Sequence, residues 1–257
     1  MKLNLSLLAG ALICVAINTP ATIPAFRSIT VQGPSVVIEY TGEGSLLQSS
    51  PGPAGPWTSI EGASSPHVAQ ADAPLKLFRL VSGDGFSRTL VGYAKVPVTK
   101  GYSILGFPFG AKTLDDILPS TAFGSAVHVY RNGQFATSIF LGSWFPNLEI
   151  KFAEGFFFHT DQAADLIFAG EVPQGSFQIP VPAGFSLLGN PIPKSGEIQN
   201  EMGFPDFSTI FWWRNDSYMS DLLIGGSSPG PIIRVADGFW VMRDQPATWR
   251  INFTVDP

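Results

Sequence analysis

Short stretches of alternating apolar and polar residues, separated by glycine and proline, run through most of this chain. Successive side chains of a strand point to opposite faces, so this period of two is typical of half-buried β-strands. Clusters of turn residues bound each stretch, which favours short antiparallel strands over long ones. In residues 26–91, where we predict a small N-terminal β-sandwich-like domain, the pattern predicts strands over 35–40, 45–49, 57–60 and 75–81.

Two similar stretches organise the rest of the chain: GYSILGFPF, which begins at Gly101, and GFSLLGNPI, which begins at Gly184. We call the shift that places Gly101 on Gly184 the repeat offset. Without a gap, the same shift places a later AEGF segment on ADGF, and many further positions are identical. Self-similarity of this length indicates repeated structural units. We therefore predict two tandem homologous β units, over 92–174 and 175–257.

Each predicted unit contains one hairpin, one short helical turn and about five strands. Asn132-Gly133 favours a tight type I′ turn, because both residues tolerate positive φ. No connection is long enough for a helical crossover between parallel strands, so the sheets are expected to be antiparallel. The strands of the first unit are expected over 101–105, 126–131, 134–141, 155–159 and 165–172, with counterparts one repeat offset later, and the helical turns over 113–118 and 197–202.

The composition supports an all-β fold made of these three parts. Glycine (27 residues) and proline (22) are abundant and only 14% of residues are charged, which suits short strands separated by turns. The net charge is −5 and no basic cluster exists, so the sequence argues against nucleic acid as a partner.

The N-terminal segment, 1–25, has the layout of a secretory signal peptide. Lys2 precedes an apolar run over 5–17, and small residues follow at 21–25. The apolar run is too short to span a membrane comfortably, and we expect no membrane span in the mature chain. The sole cysteine, Cys14, lies in this segment, so the mature chain is expected to lack disulfides and cysteine-bound metals. The sequence thus predicts a secreted, periplasmic or outer-surface protein.

The repeated motif resembles a known group of exported proteins. The pattern glycine, aromatic, serine, two apolar residues, glycine, any residue and proline is followed, later in each unit, by acid-Gly-Phe-aromatic. It resembles the β repeats of secreted Verrucomicrobia and Planctomycetes proteins. It is also similar to the GWNLIGNP…GQGFFV repeats of Bacteroidetes surface proteins. The resemblance covers residues 92–257 and implies an exported module of unknown function, without catalytic residues to carry over.

Two carboxylates, Glu154 and Asp237, occupy equivalent positions in the two units. Paired carboxylates held roughly 5–10 Å apart catalyse glycoside hydrolysis, so a secreted glycosidase is one interpretation. Each acid is followed by glycine and aromatic residues, however, and acid-Gly is typical of a turn that opens a strand. We favour the structural interpretation.

The other candidate chemical motifs lack the context that their chemistry needs. Residues 226–230 read G-S-S-P-G, but a nucleophile elbow requires a strand before the serine and a helix after it. The three histidines, His67, His128 and His159, have no partners at metal-ligand spacing. We therefore predict no catalytic residue, no metal and no cofactor.

Aromatic residues are the remaining signal that bears on function. Period two places Val127 and Val129 on one face of a hairpin strand, and His128 and Tyr130 on the other. The second face packs between the units, which we favour, or forms an exposed platform for a sugar. The residues of this candidate ligand-binding platform are Trp213, Phe211, Tyr218, Tyr130 and Trp144.

Three functions follow from the sequence. The first is a non-catalytic secreted or cell-surface module with a structural, adhesive or assembly role, which binds a protein partner or itself through β edges. The second is a carbohydrate-binding module that holds a polysaccharide on exposed aromatic rings. The third is a secreted glycosidase. An open strand edge with apolar surface would favour the first function. An exposed set of coplanar rings would favour the second, and a concave site with converging carboxylates would favour the third.

Overall fold

A computed structural model of the chain describes residues 23–42, 44–83, 85–214, 217–225 and 230–255. Cys14 and nearly all of the predicted signal peptide therefore lie outside the described residues. Within these ranges every strand pairing is antiparallel and the one α-helix has four residues, which confirms the all-β prediction. No helix in the described part is long and apolar enough to cross a membrane.

Seven strands precede the first predicted unit, and the four predicted strand regions all form strands. Three further strands, β1, β5 and β7, are not predicted. Strand β1 begins at the end of the predicted signal peptide, whereas β5 and β7 are short, with four and two residues. The strands are β1 (Ala25–Gln32), β2 (Ser35–Thr41), β3 (Leu46–Ser50), β4 (Thr58–Ser59), β5 (His67–Gln70), β6 (Leu75–Ser82) and β7 (Gly85–Phe86).

The first unit contains the predicted hairpin and helical turn. Asn132 and Gly133 have φ of 53° and 78°, as a type I′ turn requires. Thr113 precedes the helix, but its hydroxyl donates to Asp116 Oδ2 and does not cap the backbone. The elements are β8 (Val91–Val98), β9 (Gly101–Gly106), β10 (Lys112–Thr113), α1 (Leu114–Ile117), β11 (Ala126–Arg131), β12 (Gln134–Phe140), β13 (Trp144–Phe145), β14 (Glu149–Ile150), β15 (Gly155–Thr160) and β16 (Ala164–Glu171).

The second unit has corresponding strands, with turns at 198–202 in place of the helix. Its predicted hairpin tip, Asn215-Asp216, lies outside the described residues. The strands are β17 (Gly175–Val181), β18 (Gly184–Gly189), β19 (Gly196–Glu197), β20 (Ser208–Arg214), β21 (Ser217–Leu223), β22 (Ile232–Ile233), β23 (Gly238–Arg243) and β24 (Ala247–Phe253).

The N-terminal part and the first unit share one sheet. Strand β8 pairs with β6 and with β16, which gives the order β16-β8-β6-β3-β4. A three-stranded sheet, β1-β2-β5, covers one face of it, and Ile167 of β16 lies in the apolar layer between them with Ile38 and Phe78. The predicted boundary at residue 91 is therefore the start of a shared strand, and not a gap between two sheets.

Strand pairing in the two units recurs at the repeat offset. The first unit has a sheet of order β13-β12-β11-β15-β9, and the second has β21-β20-β23-β18. The β17–β24 pair corresponds to β8–β16, and β19–β22 corresponds to β10–β14 with its register shifted by one residue. A single apolar cluster contains buried residues of both units, such as Phe156 and Phe239.

The two units meet at a reciprocal backbone junction. Gly106 N donates to Ala236 O at 2.9 Å, and Gly189 N donates to Ala153 O at 3.0 Å. A Cβ atom on Gly106 would lie 2.6 Å from the Gly189 Cα, and one on Gly189 would lie 2.5 Å from the Gly106 Cα. The glycine before x-Pro in each repeated motif is thus required by this close approach of two backbones.

Candidate functional site

Aromatic rings occupy the faces of the two unit sheets that lie opposite the core. In β15, for example, Phe156 and Phe158 are fully buried, so the alternate residue Phe157 points to the other face. The same alternation along β9, β11, β12, β18, β20, β21 and β23 builds what we call the aromatic surface. It consists of Tyr102, Tyr130, Phe135, Phe157, Phe185, Phe211, Trp213, Tyr218 and Trp240.

Trp240 joins the two halves of the aromatic surface. Its ring centroid lies 4.9 Å from that of Tyr130 and 6.2 Å from those of Phe135 and Phe157 in the first unit. It also lies 6.2 Å from the ring of Phe185 in its own unit, with an interplanar angle of 86°. Such edge-to-face contacts stabilise a pair beyond the area that they bury. The predicted packing between the units is therefore found at Trp240 and Tyr130.

Much of the aromatic surface nevertheless remains exposed. Tyr102, Phe135, Phe185 and Tyr218 are each about half exposed, and Trp213 is 36% exposed. If a fully exposed ring presents about 200 Å², these five side chains expose roughly 500 Å². A surface of that size is as large as the largest apolar patch on a typical monomer, and such patches are often functional.

Two related depressions lie in the aromatic surface. One of about 370 Å³ is lined, among the described residues, only by aromatic side chains: Tyr130, Phe185, Phe211, Tyr218 and Trp240. The other, of about 360 Å³, is lined by their counterparts Trp213, Tyr102 and Phe157, together with Tyr218, Lys100, Gly101 and Ile104. Tyr218 lines both, and its burial raises the pKa of its hydroxyl. Both depressions are therefore lined mainly by apolar rings.

A small polar group borders one end of the aromatic surface. His128 Nδ1 lies 2.8 Å from Thr137 Oγ1, and the ring of His159 lies 4.6 Å from that of Tyr102. Burial lowers the pKa of His128, and His159 lowers it further. The described residues contain no group of three or more metal-ligating side chains.

Four of the five predicted platform residues lie together, and one does not. Tyr130, Phe211, Trp213 and Tyr218 belong to the aromatic surface. The prediction for Trp144 is wrong, because this side chain is only 2% exposed and its Nε1 donates to Leu118 O at 2.8 Å. Strand β13 turns its tryptophan into the core beside Phe140. The alternation that identified Tyr130 would also have identified the missed rings Tyr102, Phe135, Phe157, Phe185 and Trp240.

Glu154 is held in a turn and an ion pair. Its two carboxylate oxygens accept hydrogen bonds from Nε and an Nη of Arg131, both at 2.5 Å. Oε2 also accepts from the backbone N–H of Lys151, at the start of the turn, at 3.0 Å. The hydrogen bond with Glu154 raises the pKa of Arg131. Through these contacts the carboxylate stabilises the turn that precedes β15.

Asp237 has the equivalent arrangement in the second unit. Its Oδ2 accepts from Arg214 Nη2 and from the backbone N–H of Arg234, each at 2.9 Å. The residue before each acid, Ala153 or Ala236, has a φ of 62° or 63°. The arrangement supports a structural role for both carboxylates at these left-handed turns.

We expect Glu154→Gln to lower the free energy of unfolding by about 1–3 kcal/mol, because it breaks a charge-assisted bidentate pair that is mostly shielded from solvent. Asp237→Asn should cost less, since its carboxylate makes one hydrogen bond to arginine and is more exposed. Urea denaturation measures both values. Asp165→Asn removes the more exposed pair with Lys95 and is the control, with an expected change under about 0.5 kcal/mol. Equal losses in all three variants would contradict this account.

Most of the G-S-S-P-G stretch, which we interpret as a loop and not as a nucleophile elbow, lies at 226–229, outside the described residues. Comparison with models of known protein families, with curated proteins and with solved structures finds no match. The resemblance to exported β repeats therefore stays a prediction, and the functional argument rests on the geometry of the aromatic surface.

Proposed function

We propose that this chain is a non-catalytic assembly module of the cell exterior, which binds a partner protein through the aromatic surface. The observation that carries the proposal is the roughly 500 Å² of ring surface that both units contribute to one face. Aromatic residues are enriched at the centres of protein interfaces, where they supply most of the binding energy. The two depressions would receive apolar side chains of the partner.

The orientation of the rings favours a protein over a polysaccharide. A sugar ring stacks on a flat aromatic platform, but most neighbouring rings here meet at steep angles, such as 70° for Tyr130 and Trp240 and 75° for Trp213 and Tyr218. Four of the nine rings are phenylalanines, which offer no hydrogen bond to a sugar hydroxyl. The aromatic surface is apolar and uneven, and it therefore fits the side chains of a protein better than a flat sugar ring.

The contacts of the carboxylates support the non-catalytic part of the proposal. Glu154 and Asp237 each bind an arginine and a turn N–H, which accounts for their recurrence in both units without any chemistry. A general acid in a glycosidase instead needs a carboxyl group that faces the substrate.

We further infer that residues 92–174 and 175–257 are homologous tandem units. The shared motif, the recurrence of strand pairing at one offset and the reciprocal Gly106–Gly189 junction support this inference. Export, which the N-terminal segment predicts, would place the aromatic surface outside the cytoplasm.

A cosedimentation experiment tests the proposal. Wild-type protein is expected to sediment with the cell-envelope fraction of its source organism, and protease treatment of that fraction should abolish binding. Phe185→Ser should weaken binding at least about tenfold while the protein stays folded with a modestly lower melting temperature, since it removes a half-exposed ring from the binding face together with its contacts to Phe211 and Trp240. Phe123→Ser, at a 77% exposed phenylalanine outside the aromatic surface, is the control and should bind normally.

Two results would count against the proposal. One is binding that survives protease treatment and is reproduced by a purified polysaccharide, which would favour the carbohydrate-binding alternative. The other is an equal effect of Phe185→Ser and Phe123→Ser on binding.

A further inference from the structure

A cleft of about 500 Å³ lies between the two units, where the hairpin tip of the first unit and the turn before β15 face β17, β18 and the segment between them. We call it the junction cleft. Tyr130 and Phe185 line both the junction cleft and the aromatic depression of about 370 Å³, so the cleft continues directly from the aromatic surface. A partner segment that lies on the aromatic surface can therefore extend into the cleft.

The walls of the junction cleft are apolar and join the two units. Phe152, in the turn before β15, packs on Phe177 of β17 with ring centroids 4.9 Å apart. Ile179 and Pro180 of β17 also line the cleft. Apolar walls of this kind shield a bound group from water and so strengthen an ion pair formed between them.

One side-chain charge of the junction cleft is uncompensated, and it is positive. The charged side chains that line the cleft are Lys151 and Glu154. Both carboxylate oxygens of Glu154 accept hydrogen bonds from Arg131, at 2.5 Å. Lys151 is exposed, and no carboxylate of the described residues forms an ion pair with its Nζ. Asn132 also lines the cleft, and its side-chain amide offers two further N–H donors.

The repeat supplies a counterpart cleft for comparison. At the repeat offset Lys151 corresponds to Arg234, which lines a cleft of about 610 Å³ together with Pro97, the counterpart of Pro180. A cation therefore recurs at this place in both units. The described residues that line the counterpart cleft include no aromatic ring and no member of the aromatic surface. The counterpart cleft thus has the charge without the continuation from the aromatic surface.

We propose that the junction cleft binds an acidic side chain of the partner protein, in a segment whose neighbouring apolar residues lie on the aromatic surface. The inference rests on the proposed function and specifies the chemistry of the partner. The ammonium group of Lys151 would pair with the carboxylate, and the amide of Asn132 would donate a hydrogen bond to it. A neutral segment would leave the ammonium group desolvated without a partner, which costs free energy. Charge complementarity of this kind fixes the register of an interface.

Carbodiimide cross-linking tests the proposal directly, because the reagent joins an amine and a carboxylate in contact through an amide bond. The protein is bound to the cell-envelope fraction of its source organism and cross-linked, and the linked peptides are identified by mass spectrometry. Lys151 is expected to be linked to an aspartate or glutamate of a partner protein. Arg234→Lys places an amine in the counterpart cleft and is the matched control, with no link expected at position 234.

Charge reversal measures how much the ion pair contributes to binding. Lys151→Glu should weaken envelope binding at least about fivefold at low ionic strength, and Lys151→Arg should bind like the wild type. Because salt screens ion pairs, the difference between Lys151→Glu and the wild type should shrink as the salt concentration rises. Arg234→Glu makes the same kind of charge change in the counterpart cleft and should leave binding unchanged.

Three results would overturn the proposal. They are the absence of a cross-link from Lys151 to a partner carboxylate, wild-type binding by Lys151→Glu, and equal losses from Lys151→Glu and Arg234→Glu, which would indicate an effect of net charge alone. Protease-sensitive binding that Phe185→Ser weakens and Lys151→Glu does not would refute the junction cleft and retain the aromatic surface. Absence of any envelope binding would refute both proposals.

Discussion

Gly189→Ala should lower the free energy of unfolding by about 3 kcal/mol or more, one of the two largest losses that we expect from a single substitution. The new methyl group would lie 2.5 Å from the Gly106 Cα and 2.8 Å from the Glu154 carbonyl oxygen. Both obstacles are backbone atoms of the opposite unit, so no side-chain rotation relieves the clash. The junction must open, which also weakens the Gly189–Ala153 hydrogen bond. Guanidinium denaturation measures the loss.

A matched glycine shows whether the loss comes from the junction. Gly52→Ala adds the same methyl group where no atom lies within 4 Å and the backbone conformation is ordinary, so its effect should stay within about 0.5 kcal/mol. Gly106→Ala should resemble Gly189→Ala, because the contact is reciprocal. If all three variants had similar stability, the two units would not meet as described.

Trp144→Ala should lower the free energy of unfolding by about 3–5 kcal/mol, as large aromatic truncations in packed cores do. The substitution empties a site beside Phe140 and leaves the Leu118 carbonyl without its Nε1–H donor. Trp213→Ala should cost only about 1–2 kcal/mol, because its side chain is partly exposed and its closest ring contact is with Tyr218. Thermal and chemical denaturation of both variants measure the difference.

The same pair of variants separates folding from binding. Trp213→Ala should weaken envelope binding while the protein stays folded, whereas Trp144→Ala should affect binding only in proportion to the unfolded fraction. A Trp144→Ala variant of unchanged stability would contradict the burial of this residue.

Local patterns predict most of the longer strands, because alternation and turn chemistry are local properties, but they miss β1, β8 and β17. Asn132-Gly133 forms the predicted tight turn, and the strands that flank it begin and end within one residue of the prediction. The carboxylates were also assigned correctly to turns, since acid-Gly is a local signal.

Long-range pairing could not be predicted from the same patterns. No local sequence pattern shows that β8 pairs with β6, so that strands of the N-terminal part and of the first unit belong to one sheet. Trp144 was misplaced because β13 is only two residues long, too short for alternation to show which side faces the core. The role of Gly106 is likewise a contact between residues far apart in sequence.

Site-specific photo-crosslinking in the source organism tests the central claim, that the aromatic surface binds a protein. A benzophenone amino acid is introduced at Phe185 and, in a separate control, at the exposed Phe123. The account predicts a discrete protein adduct from position 185 and none from position 123. The absence of a protein adduct at 185, or the same adducts from both positions, would contradict it.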